Sequence, residues 1–364
     1  MPIPLPGSSL HAGIIGGGFM GGVHAHAVRA SGAELRYVAA SSSESAQHAA
    51  TAFGATRAAS SAEELIEAAD VDVVHICVPN ALHGRFARAA LRAGKHVICE
   101  KPLATDVDAA ADLLARSRDG DSVTAVPFVY RYYPTVREAR ARIADGQAGD
   151  LHLIHGSYLQ DWMTGAQRGN WRLDPDRGGV SKTFADIGVH WCDLLEFTTG
   201  HRITRLCART LSAPSNRSAS EDGATVLFET DRGAAGSLVV SQVSMGRKNR
   251  LWFSIDGERA AYVFDQERPD TLWAGGTENR LVPRGESGQT TEASRLSALP
   301  AGHPQGYQDC FNSFVADTYA AIRGEHRDGI PTFADGARAA AITEAVLRSA
   351  AEETWVEVAE EGIA

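Results

Sequence analysis

Asp186 and His190 stand four residues apart in FADIGVHWCDL (Phe184–Leu194), so a regular helix would carry both on one face. A carboxylate beside an imidazole favours the protonated ring and fixes its tautomer, which suits a general base acting on a hydroxyl. Taken alone, the segment also reads as a helix-capping aspartate and a buried structural histidine. Glu100 and Lys101 form a charged pair before Pro102 in CEKPLA (Cys99–Ala104), directly after an apolar run. At the carboxyl edge of an open α/β sheet, where such sheets bind ligands, both would meet a bound molecule; elsewhere they are a surface ion pair.

A third stretch, GIIGGGFMGG (Gly13–Gly22), places Gly16, Gly18 and Gly21 in the spacing GxGxxG between a short apolar run and a helix pattern. In that context the glycines have separate tasks. Gly16 permits the tight turn, Gly18 lets the backbone approach a pyrophosphate, and Gly21 lets helix and strand pack closely. The phosphates would sit on free N–H groups of the first helical turn, where Phe19 and Met20 stand. About 20 residues further on, an NAD-specific fold offers an acid to the ribose 2′-hydroxyl. Here the chain reads AASSSESA (Ala39–Ala46), with Ser41 and Ser42 in that place. Serines bond a 2′-hydroxyl or a 2′-phosphate, and no arginine stands next to them to favour the phosphate, so NAD is expected and NADP stays open. Val78, Pro79, Asn80 and His83, which follow another apolar run, are further cofactor candidates. Asn80 reads equally as a helix start.

These residues need a scaffold. As far as residue 127, apolar runs at His11–Ile15, Leu35–Ala40, Val71–Pro79, His96–Glu100 and Ser122–Val126 alternate with helix patterns. The helix patterns cover Phe19–Ala30, Glu44–Phe53, Ala81–Ala93 and Val107–Arg118. Such alternation implies βαβ units and a doubly wound parallel sheet, a dinucleotide-binding domain over 1–127. From 128 to 364 the rhythm changes. After a helix at Thr135–Asp145 come alternating runs at Leu151–Gln160, Ala224–Thr230, Gly236–Ser244 and Leu251–Gly257, then RAAYVFD and TLWAG. They imply an open, mostly antiparallel sheet in a substrate-binding α+β domain. One helix interrupts the series at Phe184–Thr199, and Gly285–Pro304 reads as a long loop. Two helices near Tyr307–Arg323 and Ala334–Glu353 close the chain and can pack back on the first domain. The fold class is α/β plus α+β.

Composition narrows the partners. A net charge of −10 argues against a nucleic acid, whose binders carry basic excess. The 364 residues include five cysteines, an odd number without a CxxC, so neither a disulfide framework nor a zinc ribbon is expected. His24 and His26 are two apart and point to different sides of a helix, so they make no metal site. No leader is visible in MPIPLPGSSL, and no run approaches the roughly 18 apolar residues of a membrane span. A cytoplasmic protein with a small-molecule substrate is expected.

For that substrate, SYLQDW (Ser157–Trp162) and GNWRLDP (Gly169–Pro175) supply Gln160, Asp161, Trp162, Asn170, Trp171 and Arg172. Amides and carboxylates bond paired hydroxyls, and an indole covers the apolar face of a pyranose or cyclitol ring. Core tryptophans and loop-lining polar groups are the other reading. Without a concentrated positive patch for phosphate, a neutral sugar or polyol fits best.

The motifs, in this order, resemble the Gfo/Idh/MocA oxidoreductase family over nearly the whole chain. The resemblance runs from GIIGGGFMG through CVPNALHGRFARAALRAGKHVICEKPLA and GGVSKTFADIGVHWCDLLEFTTG to PTFADGARAAAITEAVLRSA. It implies that Lys101, Asp186 and His190 form the catalytic group, with His190 or Lys101 as terminal base and Asp186 orienting the histidine. It also implies that FVYRYYP (Phe128–Pro134) enters the substrate site, with Arg131 bonding sugar hydroxyls, and that the protein is a homo-oligomer, dimer or tetramer. The implied activity moves a hydride between a secondary hydroxyl of a neutral sugar, glycoside or cyclitol and nicotinamide. A redox-neutral glycoside-cleaving enzyme with tightly held NAD, or a non-catalytic dinucleotide sensor, are the alternatives. The serines at Ser41 and Ser42 depart from the acid of the NAD pattern.

Overall fold

The computed structural model describes residues 9–165, 171–213, 220–285 and 287–360; Asn170 lies outside them. The chain divides into two compact units. The first runs to Val129 and takes in Gln308–Arg338, and the second comprises Tyr130–Tyr307 and Ala339–Glu361.

In the first unit the apolar runs become strands β1 (His11–Ile15), β2 (Glu34–Ala39), β3 (Arg57–Ala58), β4 (Val73–Ile76), β5 (His96–Cys99) and β6 (Thr124–Ala125). Between them stand α1 (Phe19–Ala30), α2 (Ser43–Phe53), α3 (Ala62–Glu67), α4 (His83–Arg92) and α5 (Val107–Arg118). Ser42, Ser61 and Asp106 cap α2, α3 and α5 by accepting the N–H of the third residue on, which satisfies one orphan donor each. Strand order is β3-β2-β1-β4-β5-β6, every pair parallel. The order reverses between β1 and β4, so their carboxyl ends border the crevice where doubly wound sheets hold ligands. The glycine stretch follows β1 and Val78–Pro79–Asn80 follows β4, which is where the sequence needed them.

The second unit holds α6 (Pro134–Ala144), β7 (Leu151–Leu159), α7 (Pro175–Gly178), a π-helical turn at Phe184–Gly188 and α8 (Val189–Thr199). β8 (Ile203–Leu211), β9 (Gly223–Thr230), β10 (Ala235–Ser241), β11 (Arg250–Gly257), β12 (Ala261–Asp265), β13 (Thr271–Gly275), β14 (Arg280–Pro283) and α9 (Thr291–Leu296) follow. The closing elements of the chain are α10 (Tyr307–Ile322), which from Gln308 on belongs to the first unit, α11 (Phe333–Glu352), which belongs to the first unit as far as Arg338, and β15 (Val356–Glu357) in the second. Nine strands form one sheet, ordered β14-β13-β12-β11-β7-β10-β9-β8-β15; β7 with β10 is its parallel pair and the other pairs are antiparallel. Along β9, Ala224, Val226 and Phe228 point inward while Thr225, Leu227 and Glu229 point out. Every residue of α8 except Phe197 is buried. The Trp191 indole donates to the Trp252 carbonyl at 2.9 Å and packs on Phe228, which seats α8 on the inner face. The opposite face carries Leu153, Val239 and Leu227, all exposed but at different levels of the register: Leu153 faces Ala235, Leu227 faces Ser237, and Val239 stands between Ser157 and Thr225.

Two expectations change. The helix read over Phe184–Thr199 is a π-helical turn leading into a regular helix. The stretch Gly285–Pro304 contains α9, a helix that local sequence hides because its start is tied down from elsewhere. Glu138 on α6 accepts both the N–H and the hydroxyl of Thr290, at 2.8 and 2.9 Å. The short β3, α3, β14 and β15, and the nine-residue β8, were also not legible as runs. Among the described residues no helix is long and apolar enough to cross a membrane.

Arg131, expected to bond sugar hydroxyls, is buried and turned onto Asp193 of α8, where Nε donates at 2.8 Å and Nη2 completes a two-point contact. Its guanidinium also lies over the Phe197 ring at 4.8 Å. Removing one partner of a buried pair leaves the other charge without compensation. Asp193→Ala should therefore lower unfolding free energy by about 3–5 kcal/mol. Urea denaturation checks this, and a change under about 1 kcal/mol would show that the pair contributes little.

Candidate active site

The turn after β1 is held by one backbone requirement. Gly16 adopts φ +130°, and a Cβ there would lie 2.2 Å from the Cys77 carbonyl oxygen. Its N–H donates to Ala39 O at 2.8 Å, so the chain threads between the ends of β2 and β4. At Gly21 a Cβ would sit 2.1 Å from Gly16 O, so α1 approaches the turn only as glycine. Gly18 differs: a Cβ would meet nothing within 4 Å, and no side chain caps α1 there. The start of α1 thus borders open space at Gly18, with Phe19 exposed and Met20 half-buried beside it. That space, at the positive end of a helix dipole, fits the pyrophosphate of a dinucleotide.

Ser41 is exposed past the end of β2, while the Ser42 hydroxyl caps α2 and contacts Ser45 Oγ at 2.9 Å. Val78, Pro79 and Asn80 are half-buried and lead through a short 3-10 turn into α4. His83, a candidate for touching the cofactor, is turned inward. Its Nε2 faces Val78 O at 2.9 Å and its Nδ1 faces Pro102 O at 2.7 Å, so the ring links the loops after β4 and β5. Burial pushes this imidazole below its ordinary pKa although both carbonyls and Glu100 act the other way, so the neutral ring donates to one carbonyl at a time. Glu100 is not a surface ion. It is buried and accepts the Lys101 N–H at 3.1 Å, and Lys101 itself is half-buried.

In the second unit, Asp186 sits inside the π-helical turn, a local widening that often marks functional sites. The start of that turn is pinned by Glu221, which is buried. Its carboxylate accepts the Ser181 hydroxyl at 2.7 Å and the N–H groups of Thr183 and Phe184 at 3.0 and 2.8 Å. Lys182 pairs with Asp222 at 2.6 Å, both buried. Asp186 then receives Gln242 Nε2 at 2.7 Å and lies 3.9 Å from Arg172 Nε. The Gln242 Oε1 accepts the Thr183 hydroxyl at 3.1 Å, which fixes the direction of the amide.

From Gln242 the polar chain continues outward. Its amide reaches Gln160 Oε1 at 3.3 Å, which also accepts the Trp162 indole N–H at 2.7 Å. The Gln160 amide and the Tyr158 hydroxyl both donate to Asn249 Oδ1, at 2.7 and 2.8 Å. Tyr158 bonds the Tyr130 hydroxyl, and the Tyr130 ring meets His190 edge-on at 5.1 Å between centroids. Burial first, then Tyr130, Tyr307 and Asp186, hold the Tyr158 phenol well above its ordinary pKa, so it stays protonated and donates. The Arg172 guanidinium lies over Trp171 at 4.4 Å and near Trp162 at 5.8 Å.

The structure therefore gathers Asp186, His190, Gln160, Trp162, Trp171 and Arg172. Asp161 is turned away: it accepts Gly246 N–H at 3.0 Å and Lys248 Nζ at 2.7 Å, anchoring a turn. Sequence reasoning missed Tyr130, Tyr158, Asn249, Gln242 and Glu221. Tyr158 was accessible in principle, because strand alternation puts it on the face of Gln160. The others carry no local signal.

Gly16→Ala should destabilise the fold by roughly 3 kcal/mol, since the methyl meets a backbone carbonyl at a disfavoured φ. Gly18→Ala should leave the thermal midpoint within about 2 °C of wild type, yet weaken NADH binding about tenfold or more in a fluorescence titration. Equal binding by the Gly18 variant would place the phosphates elsewhere.

A family model described as an oxidoreductase family with an NAD-binding Rossmann fold matches residues 10–128, and a Gfo/Idh/MocA C-terminal domain matches 136–263. Levoglucosan dehydrogenase of Pseudarthrobacter phenanthrenivorans is 31% identical, over 96% of this chain and 98% of its own. A solved structure of levoglucosan dehydrogenase in complex with NADH and levoglucosan has a TM-score of 0.90 at 30% identity, covering 97% of this chain and 100% of that one. An inositol dehydrogenase homolog from Azotobacter vinelandii, complexed with NAD+, has a TM-score of 0.89 at 25% identity, covering 96% and 98%. With both of its domains matched and a relative similar from end to end, this chain belongs to the Gfo/Idh/MocA family of NAD-binding oxidoreductases.

Proposed function

We propose that this oxidoreductase is a dehydrogenase for a secondary hydroxyl of a neutral sugar, anhydro sugar or cyclitol. The observation that carries the reading is the cluster around Asp186 and His190. Planar amides, a phenol pair and two indoles stand there, with the Arg172 guanidinium placed against Asp186 and Trp171. Such a set bonds vicinal hydroxyls and covers a ring face. The names of the relatives, levoglucosan and inositol dehydrogenases, support the same class.

Nicotinamide, when bound, supplies the hydride acceptor. The protein supplies the rest. His190 is assigned the base that takes the hydroxyl proton. Asp186, held by Gln242, favours the imidazolium that results. Lys101 is assigned the stabilisation of negative charge on the substrate oxygen as the proton leaves. NAD is the preferred cofactor, because Ser41 and Ser42 bring no guanidinium to a 2′-phosphate.

Purified protein with NAD and a panel of neutral sugars, anhydro sugars and cyclitols should generate NADH absorbance with at least one of them. Lys101→Ala and His190→Ala should each reduce turnover by about 10²- to 10⁴-fold with little change in NADH binding. Cleavage of a glycoside without net NADH formation, by protein that copurifies with cofactor, would replace this reading with redox-neutral elimination. Cofactor binding without turnover of any substrate would favour a sensor.

We also propose that the protein is a cytoplasmic homo-oligomer, a dimer or tetramer. All five cysteines are free thiols, which suits a reducing compartment. Leu153, Val239 and Leu227 are apolar side chains exposed on the outer sheet face, a surface that a second copy would cover. Sedimentation should find an oligomer that Leu227→Lys with Val239→Lys dissociates; a monomeric wild type would dismiss the idea.

A further inference from the structure

A line of buried polar groups runs through the first unit to the residue that precedes Lys101. Tyr319 OH on α10 meets His75 Nε2 at 2.7 Å, His75 Nδ1 meets His24 Nδ1 at 2.8 Å, and His24 Nε2 meets Glu100 Oε1 at 3.1 Å. The other Glu100 oxygen accepts the Lys101 N–H. His24, His75 and Tyr319 have no solvent exposure, and Phe311 packs edge-on against His24. Buried polar groups of this kind must be matched in every link, or the mismatch is destabilising.

The link between two Nδ1 atoms holds one proton, so the direction of donation must be chosen. With Glu100 ionised and His75 neutral, two choices satisfy all three links. In one, Tyr319 donates to His75, His75 Nδ1–H to His24, and His24 Nε2–H to Glu100, with both rings neutral. In the other, His24 carries both ring protons and donates to His75 and Glu100, while His75 Nε2–H donates to the Tyr319 oxygen. The second arrangement contains one more proton than the first. To pass between them, a proton joins the Tyr319 oxygen, the original hydroxyl proton moves to His75 Nε2, and the His75 Nδ1 proton moves to His24 Nδ1. No other bond changes.

His75 is neutral in both arrangements, in keeping with burial and the nearby His24, which hold it well below its ordinary pKa. Burial alone would raise Glu100, but the His24 hydrogen bond, with the charges of His24, Lys101 and His83, brings it below the ordinary carboxylate range. Glu100 is then the anion that faces His24. The other titratable groups facing the chain are Cys77 and Cys99 near Glu100, whose thiols burial pushes well up and keeps neutral, and Asp72 toward Tyr319.

We propose that the Tyr319–His75–His24–Glu100 chain stores one proton on His24, and that through Glu100 this makes His24 a positioning residue for Lys101. The inference rests on the reading that Lys101 serves the reaction. The proton is held in the core of the dinucleotide unit, and its presence decides how firmly Glu100 is fixed where it accepts the Lys101 N–H. A fixed Glu100 keeps the start of the Lys101–Pro102 segment in one place.

Histidine-ring ¹⁵N NMR of the whole protein, titrated between about pH 5 and pH 9, should show one slowly exchanging ring that gains a second proton, and His24→Gln should remove that signal. In turnover, His24→Gln should lower kcat about tenfold with little change in substrate KM, and delete one step from the pH profile of kcat. Tyr319→Phe, which keeps the ring and removes the far hydroxyl, should fold and move the midpoint of that step. It carries the kinetic test if the His24 variant does not fold. The proposal is overturned if buried rings keep a single proton throughout the titration, or if both variants lose stability with an unchanged pH profile. Absence of turnover with every sugar would defeat the functional reading instead, and the NMR titration would still decide whether the proton is stored.

Discussion

A carboxylate taken out of water has to be met by donors, and in the second unit Glu221 is met by the backbone of Thr183 and Phe184 and the hydroxyl of Ser181. This one interaction sets where the turn carrying Asp186 begins. The anion lies against the N–H groups at the start of a helical segment, where partial positive charge gathers. With that start fixed, the widened turn presents Asp186 to Gln242, and α8 continues from it with His190 one residue in. Trp191, the next residue, anchors α8 to the sheet through its indole N–H. The position of the candidate base, His190, therefore follows from a buried charge, Glu221, that stands well beyond α8 in sequence.

The same logic separates charged residues that support the fold from those open to chemistry. Arg131 and Asp161 are both polar, both near the site in sequence, and both committed to partners: Arg131 to Asp193, Asp161 to Lys248 and Gly246. Glu100 is committed to His24 and to the Lys101 N–H. By contrast, Gln160, Gln242, Asn249 and Tyr158 are linked in a chain that orients each amide and phenol. A preorganised set of that kind can recognise hydroxyls without reorganising, since its dipoles already point in fixed directions.

Much of the architecture was legible because it is written in period. The bounds of β1, α1 and α5 match the runs read from sequence, since β-branched runs, helical spacing and capping residues are local signals. The helix α9 was not legible, because its buried contacts are just Ala293 and Leu296 and its start depends on Glu138 from α6. Gly13 borders Leu65: a Cβ there would fall 2.6 Å from that side chain. Neither Glu138 nor Leu65 lies near its partner in sequence, so no window of sequence contains both.

What the sequence determined by itself was the inventory and its order: the GxGxxG after an apolar run, the charged pair before Pro102, and Asp186 and His190 four apart. Those depend on local steric and helical geometry, which a few neighbouring residues specify completely. What only the tertiary structure decided was the duty of each polar group. It turned His83 and Glu100 inward, gave Arg131 and Asp161 to ion pairs, and brought Gln242 and Tyr158 to the site. The reason is physical: a buried polar atom must be satisfied wherever a partner lies in space, and long-range partners leave no periodic trace in the chain.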